Sequence, residues 1–167
     1  MQILLGHPLL NVPACSTRRC LKAAVIKNRP DWLGAFMMSN MDIPWNMLLP
    51  REDSMLSLLG WAIKDVALDT VRFLLDILGF DIRYCGVLNN NPKTALMKCI
   101  EVRHWDPQRE QAQQELLRYL VHHPLTDLNI CFDGRTALHC SVGGPDASFL
   151  RILLEHPNLD LNVPGFF

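Results

Sequence analysis

Apolar residues recur along this chain in short blocks at helical spacing, each opened by a hydroxyl residue and closed by a breaker. Thr136 precedes Ala137, Leu138, Ser141 and Val142, and Gly143-Gly144-Pro145 follows them. Ser57 precedes Leu58, Leu59, Ala62 and Ile63, and Thr94 opens Ala95-Leu96-Met97 in the same way. Spacing of this kind marks one face of a helix. A Ser or Thr hydroxyl just before the block suits an N-cap, where it accepts from an otherwise orphaned amide. A second apolar block follows in each case and carries a single arginine: Thr70 to Leu75 with Arg72, Leu116 to Val121 with Arg118, and Phe149 to Leu154 with Arg151. These blocks stop before Gly79, Pro124 and Pro157, residues that end helices. The pattern predicts pairs of short helices joined by turns.

The pairs recur. From Ser57 to Asp81 is 24 residues, and from Thr136 to Asp160 is again 24; from Thr94 to Asp127 is 33, so the middle unit carries about nine extra residues. Asp81-Ile82-Arg83, Asp127-Leu128-Asn129 and Asp160-Leu161-Asn162 close the three units. A fainter copy runs from Arg19 to Ala24 and from Trp32 to Met37, ending at Asp42-Ile43. Ile3 to Pro8 echoes Ile152 to Pro157, and Asn11-Val12-Pro13 echoes Asn162-Val163-Pro164. The chain thus reads as opening in the tail of one repeat and closing at the threshold of another. A helix pair that is apolar on more than one side buries that surface against neighbouring pairs, which gives an elongated all-α solenoid.

The residues Gly134-Arg135-Thr136-Ala137-Leu138-His139, then Phe149 to Leu154, then Asp160-Leu161-Asn162, resemble a near-consensus ankyrin repeat. The intervals from Arg19 to Ser57, Ser57 to Thr94 and Thr94 to Thr136 (38, 37 and 42 residues) fit that repeat with insertions. The resemblance implies one ankyrin-type domain over residues 1–167, with a partial repeat at 1–13 and repeats near 14–50, 51–88, 89–130 and 131–167. It also implies β-turn fingers and inner helices that form a concave surface for protein partners. Three copies depart from the pattern: the position of His139 holds Met97, Gly60 and Lys22. The finger before Ser57, from Trp45 to Asp53, lacks the usual Asp-x-x-Gly turn.

Composition narrows the classes. The 167 residues are 49% hydrophobic and 20% charged, enough for one domain-sized core. A net charge of −1 gives no reason to expect nucleic acid or an anionic membrane. No apolar run approaches the roughly 20 residues that span a bilayer. Met1-Gln2 supplies no positive region, and Gly6-His7-Pro8 interrupts the first apolar block, so a signal peptide is not expected. The six cysteines have no paired spacing, and Cys99 aligns with Ala62 and Ala24. Reduced thiols in an intracellular protein, cytoplasmic or nuclear, are the reading.

No catalytic constellation and no cofactor motif is present. His122-His123 and His156 sit at helix ends before proline without CxxC or HxxxH spacing, so no metal is expected. His139 and Cys140 are adjacent on a helix and point apart, which argues against a thiol–imidazole dyad. The chain therefore reads as a non-enzymatic interaction module for a protein or peptide, the alternative being an architectural segment of a longer repeat protein. Candidate contacts are the inner-helix positions Lys64, Asp65 and Glu101, and the finger residues Tyr84, Asn89, Asn90, Phe132, Asp133 and Arg135. Trp45 and Met47 of the apolar finger either join them or fold back as a plug over the irregular repeats, and Trp105 joins them from the base of an insertion near Arg103 to Gln113. In that insertion Asp106-Pro107 reads as an N-cap with proline at the first helical position. The polar run Gln108 to Gln114 then starts the following helix about two turns early, as a solvated extension. Trp32 and Trp61 fall at core positions. Arg72, Arg118 and Arg151 form a solvent-side ladder. Nothing in the residues bears on oligomeric state.

Overall fold

The computed structural model describes residues 14–38, 49–51, 54–88, 91–102, 106–143 and 147–165. Eight helices in these segments form four pairs: α1 (Ala14–Ile26) with α2 (Pro30–Met38), α3 (Leu58–Lys64) with α4 (Leu68–Arg72), α5 (Ala95–Glu101) with α6 (Pro107–His122), and α7 (Ala137–Val142) with α8 (Ser148–Leu154). The first helices stack in one row, α1 on α3 on α5 on α7, and α6 packs on α8 behind them. The architecture is the all-α ankyrin solenoid that the period predicts.

Local chemistry starts each inner helix. Ser57 Oγ accepts from the Gly60 amide at 3.1 Å, Thr94 Oγ1 from Met97 at 3.2 Å, and Thr136 Oγ1 from His139 at 3.4 Å. In the last pair the His139 ring returns the favour: its Nδ1 accepts from the Thr136 amide at 3.2 Å, completing a capping box. The aspartates that close the repeats all fold into the same turn. Asp81, Asp127 and Asp160 accept from the amides of Arg83, Asn129 and Asn162 at 2.9, 2.9 and 2.8 Å.

Asp106 caps α6 through the Gln108 amide at 3.1 Å, with Pro107 at the first helical position, and α6 runs for 16 residues. The polar run in its first turns is not a wholly solvated extension. Gln113 is buried, and its amide nitrogen donates to the Cys99 and Val102 carbonyls at the end of α5. Those carbonyls are orphaned by the helix terminus, and a side chain from the next helix satisfies them.

The helix after α4 continues as a π turn, Phe73–Ile77, and stops at Gly79, which takes φ +63°. At the turn inside the first two pairs, Asn28 and Val66 occupy the same repeat position, with φ +48° and +56°. Asn tolerates that backbone and a β-branched residue does not, so Val66 is the strained one. Asn28 also reaches the next repeat. Its Oδ1 accepts from the Thr70 amide at 2.9 Å and its Nδ2 donates to Asp69 at 3.0 Å. This caps α4, whose own N-cap residue is Ala67 and has no capping group.

The fingers are strands. β1 (Leu49–Arg51), β2 (Ser54–Leu56), β3 (Gly86–Leu88) and β4 (Asn91–Lys93) form an antiparallel sheet in the order β1-β2-β3-β4. Ser54 pairs with Leu88 and Leu56 with Gly86, so hairpins of successive repeats are stitched together. In the last finger Asp133-Gly134, with φ +53° and +68°, makes a two-residue turn between Phe132 and Arg135.

The core follows the inner row and its outer partners: Leu21, Val25, Leu59, Ile63, Leu74, Leu96, Met97, Leu117 and Leu120 are fully enclosed or nearly so. Trp61 is buried, as its register predicts, and Trp32 is half-buried against the core. At the last helix pair the same positions open to solvent. Val142 is 68% exposed where Ile100 is 6%, and Leu154 is 51% exposed where Val121 is 2%.

Candidate interaction surface

One face of the stack is built from the finger strands and the inner helices α1, α3, α5 and α7. The N-caps fix the start of three of these helices, so residues at equal distance from Ser57, Thr94 and Thr136 fall into rows across the repeats. One row runs through Trp61, Lys98 and Cys140. A second, at the helix ends, runs through Ile26, Lys64, Glu101 and Gly143.

The expected contact residues divide by position. Lys64 ends α3 and Asp65 caps it; both are half-buried. Asp65 donates its amide to the Trp61 carbonyl at 3.0 Å, and its Oδ2 is buried without a hydrogen-bond partner among the described residues. Glu101 ends α5, where its Oε1 meets Lys93 Nζ at 2.7 Å. Tyr84 lies exposed before β3. Phe132 is half-buried against the core, whereas Asp133 and Arg135 are exposed on the last finger. Trp45, Met47, Asn89, Asn90 and Trp105 lie outside the described residues. So Lys64, Asp65 and Glu101 share the helix-end edge, and Phe132, Asp133 and Arg135 share one hairpin.

Lys22, at the repeat position of His139, and two cations that the repeat frame did not single out, Lys93 and Lys98, complete this face. Lys22 of α1 places Nζ 3.8 Å from the centroid of the Trp61 ring, and Lys64 Nζ lies 5.0 Å from it. Such contacts contribute about 0.5–2 kcal/mol, more as the pair is desolvated. Lys93 of β4 holds Glu101, and Lys98 of α5 is buried. Lys98 lies inside a block chosen as apolar by its spacing, and the signal that could have found it is its register with Trp61.

The thiols on and beneath the face are held protonated. Burial raises Cys85 to about 12, with the Lys98 charge working against it. Burial is also the first cause that lifts Cys140 to about 11, and the Glu101 carboxylate adds to it; the Cys140 Sγ donates to Glu101 Oε1 at 3.8 Å.

The opposite face is a surface of short polar contacts. Arg72, Arg118 and Arg151 are all exposed there, as the ladder predicts, and Arg72 stacks on Tyr119 at 5.4 Å. The Tyr119 hydroxyl donates to Asp76 at 3.0 Å; burial, then this bond, pushes its pKa upward. His123 Nδ1 accepts from the Leu125 amide at 3.3 Å and its Nε2 faces Asp76 at 3.5 Å. His122 and His156 meet edge to face at 5.8 Å. Among the described residues no cluster of His, Cys, Asp or Glu has the makings of a metal site, and no helix is long and apolar enough to cross a membrane.

No curated protein matches the chain. The family model for ankyrin repeats (3 copies) matches residues 59–164, which takes in α3 to α8 and two of the fingers. With the capped helix pairs, the stacked inner row and the stitched fingers, that match spans well over half of the sequence: the chain belongs to the ankyrin repeat family.

Proposed function

We propose that this chain is a non-enzymatic recognition module, cytoplasmic or nuclear, that takes a protein or peptide on the face formed by its fingers and inner helices. Ankyrin repeats are in general protein-interaction modules. The observation that carries the reading is the division of labour between positions. Cap and stacking residues such as Ser57, Thr94, Leu59 and Leu96 are spent on the fold, while Tyr84, Asp133 and Arg135 stand exposed on the finger side of one face. Mixed aromatic and charged side chains on a rigid support suit recognition.

The alternative is an architectural segment within a longer repeat protein. One observation favours it: Val142, Leu154 and Leu161 are 68, 51 and 61% exposed at positions that inner repeats bury. Capture of partners from cell extract, followed by substitution, separates the two. Tyr84→Asp with Arg135→Glu removes capture on the recognition reading, and Met38→Asp with Ile77→Asp on the back of the stack leaves it intact. Capture that survives the first pair and is lost with Val142→Asp or Leu154→Asp would point to the architectural role instead.

A further inference from the structure

The first and last described pairs leave open the two halves of one joint. Inside the stack, α7 and α8 cover the side of α5 and α6 that faces them, and Ile100, Val121 and Leu128 are buried there. The last described pair holds Val142, Leu154 and Leu161 at those positions, and all three are exposed, Leu161 at 61% where Leu128 is at 4%. Asn162 repeats the placement of Asn129, one residue pair after the aspartate of its turn. Asn129 bonds the Asp160 amide and the Asn158 carbonyl of the following turn, whereas the Asn162 side chain has no partner among the described residues. At the other end, counting from the shared turn position of Asn28 and Val66, Cys20 and Ala23 of α1 stand where α3 has Leu58 and Trp61. Those two rows look toward the preceding repeat. Trp61 meets Lys22 of α1, Cys140 meets Glu101 of α5, and Ala95, in the row of Leu58, donates its amide to the Ile82 carbonyl of the preceding turn. Leu58 and Trp61 are buried, but Cys20 and Ala23 are exposed. The ends also differ in charge. α1 has no acidic residue and exposes Arg19, with Lys27 just beyond it; α8 and its turn expose Glu155 and Asp160 against Arg151.

We propose that copies of this chain associate head to tail, with α1 and α2 of a second copy continuing the stack on α7 and α8. The contact is the joint between inner pairs made once more, this time between molecules. It covers Val142, Leu154 and Leu161, and it brings backbone within reach of Asn162 as the next turn is brought to Asn129. A second copy is the occupant because it carries a helix pair whose matching side is itself uncovered, and cations to face Glu155 and Asp160. A tail-to-tail dimer would cover the same apolar residues, but it would oppose two acidic ends and leave α1 bare. Unlike ends do not close on themselves, so the assembly grows without a fixed size. The edge of one helix pair is a small interface, and its affinity is about micromolar or weaker. This association goes beyond the recognition reading and uses the ends of the stack, not its finger face.

Sedimentation of the full chain from about 5 to about 500 μM tests it, the range that a small interface requires. A reductant keeps the exposed Cys20 and Cys131 from cross-linking. The average mass rises steadily with concentration and passes that of a dimer. Leu154→Asp closes one end and Ala23→Glu the other, and each variant alone stays monomeric. Mixed together, the two form a one-to-one dimer and nothing larger, because one intact α1 end meets one intact α8 end. Val142→Asp and Cys20→Glu give a second pair for the same mixing experiment. All four changes lie at exposed positions, and thermal unfolding of dilute samples verifies that the variants fold. A parent that stays monomeric throughout, or a mixture that yields no dimer, overturns the proposal. So does association that Leu154→Asp abolishes and Ala23→Glu leaves intact, the mark of a tail-to-tail dimer. None of these results touches capture through Tyr84 and Arg135, so the recognition reading fails or stands separately.

Discussion

The Cys85 carbonyl oxygen stands where a Cβ on Gly60 would have to be, with Leu56 Cβ 3.3 Å away on the other side. That carbonyl accepts two bonds from Ser57, from its amide at 3.2 Å and its hydroxyl at 3.0 Å. The loss of histidine at this repeat position is therefore a change of solution. In the last repeat the His139 ring ties down the Thr136 amide; in the second, the finger backbone itself closes on the helix and only glycine leaves it room.

Gly60→Ala tests that account. On helix propensity alone the change would stabilise by about 1 kcal/mol. Overlap with a fixed backbone carbonyl outweighs this, and a net loss of about 2 kcal/mol is expected. For a domain of this size that lowers Tm by about 4–8 °C. A Tm that holds or rises would show that the carbonyl is free to move aside.

Asn28 gives a second prediction. It caps a helix in the next repeat and sits at φ +48°. Asn28→Ala orphans the Thr70 amide and forces alanine into a left-handed backbone, at a combined cost of about 2 kcal/mol. Asn28→Gly relieves the backbone and loses only the cap, so it is expected to fall about halfway. Urea unfolding of the pair separates the two contributions, and equal losses would refute the split.

Gln113→Leu retains the volume and removes both donors to the Cys99 and Val102 carbonyls. Leaving buried acceptors unmet costs about 1–3 kcal/mol. The loss is local, so amide exchange should accelerate first at the end of α5 and the start of α6. Uniform acceleration across all four helix pairs would contradict the assignment.

Thiol chemistry follows burial. Cys20 and Cys131 are exposed, while Cys85 is raised to about 12 and Cys140 to about 11. A raised thiol pKa means less thiolate at a given pH, and the thiolate is the nucleophile. At pH 8, iodoacetamide is expected to label Cys20 and Cys131 well before Cys140, and Cys85 and Cys99 only after unfolding. Raising the pH toward 11 should accelerate Cys140 before Cys85. Peptide mass mapping over time reads the order.

Much of this was open to sequence reasoning wherever the determinant is local. The caps at Ser57, Thr94 and Thr136, the Asp-x-Asn turns at Asp127 and Asp160, and the Asp106-Pro107 start of α6 each lie within a few residues of what they stabilise. The partners of Asn28, Gln113 and Asn129 lie a repeat or a helix away. Asn129 bonds the Asp160 amide and the Asn158 carbonyl at 2.9 Å each, and nothing beside it in the chain announces that. The candidate face has the same divide. Equal register placed Lys64 and Glu101 in one row. The enclosure of Lys98 depends on how neighbouring helices close around it, and a spacing rule cannot express that.

Repeat register also predicts opposite outcomes at equivalent positions. Leu154 and Val121 share one position, as do Val142 and Ile100, but the first of each pair faces solvent. Lysine at Leu154 or Val142 is expected to change stability by no more than about 0.5 kcal/mol, the range of ordinary surface changes. Lysine at Val121 or Ile100 buries an unpaired ammonium and costs about 3 kcal/mol or more. The near-consensus sequence of the last repeat would, on motif quality alone, make it the most stable of the four. Stability in a stacked array depends on neighbours as well as on intrinsic merit, and α7 and α8 bury only one side. Amide protection is therefore expected to be lower in α7 and α8 than in α5 and α6. Protection that instead peaks in the last pair would mean that motif quality outweighs stacking in this chain.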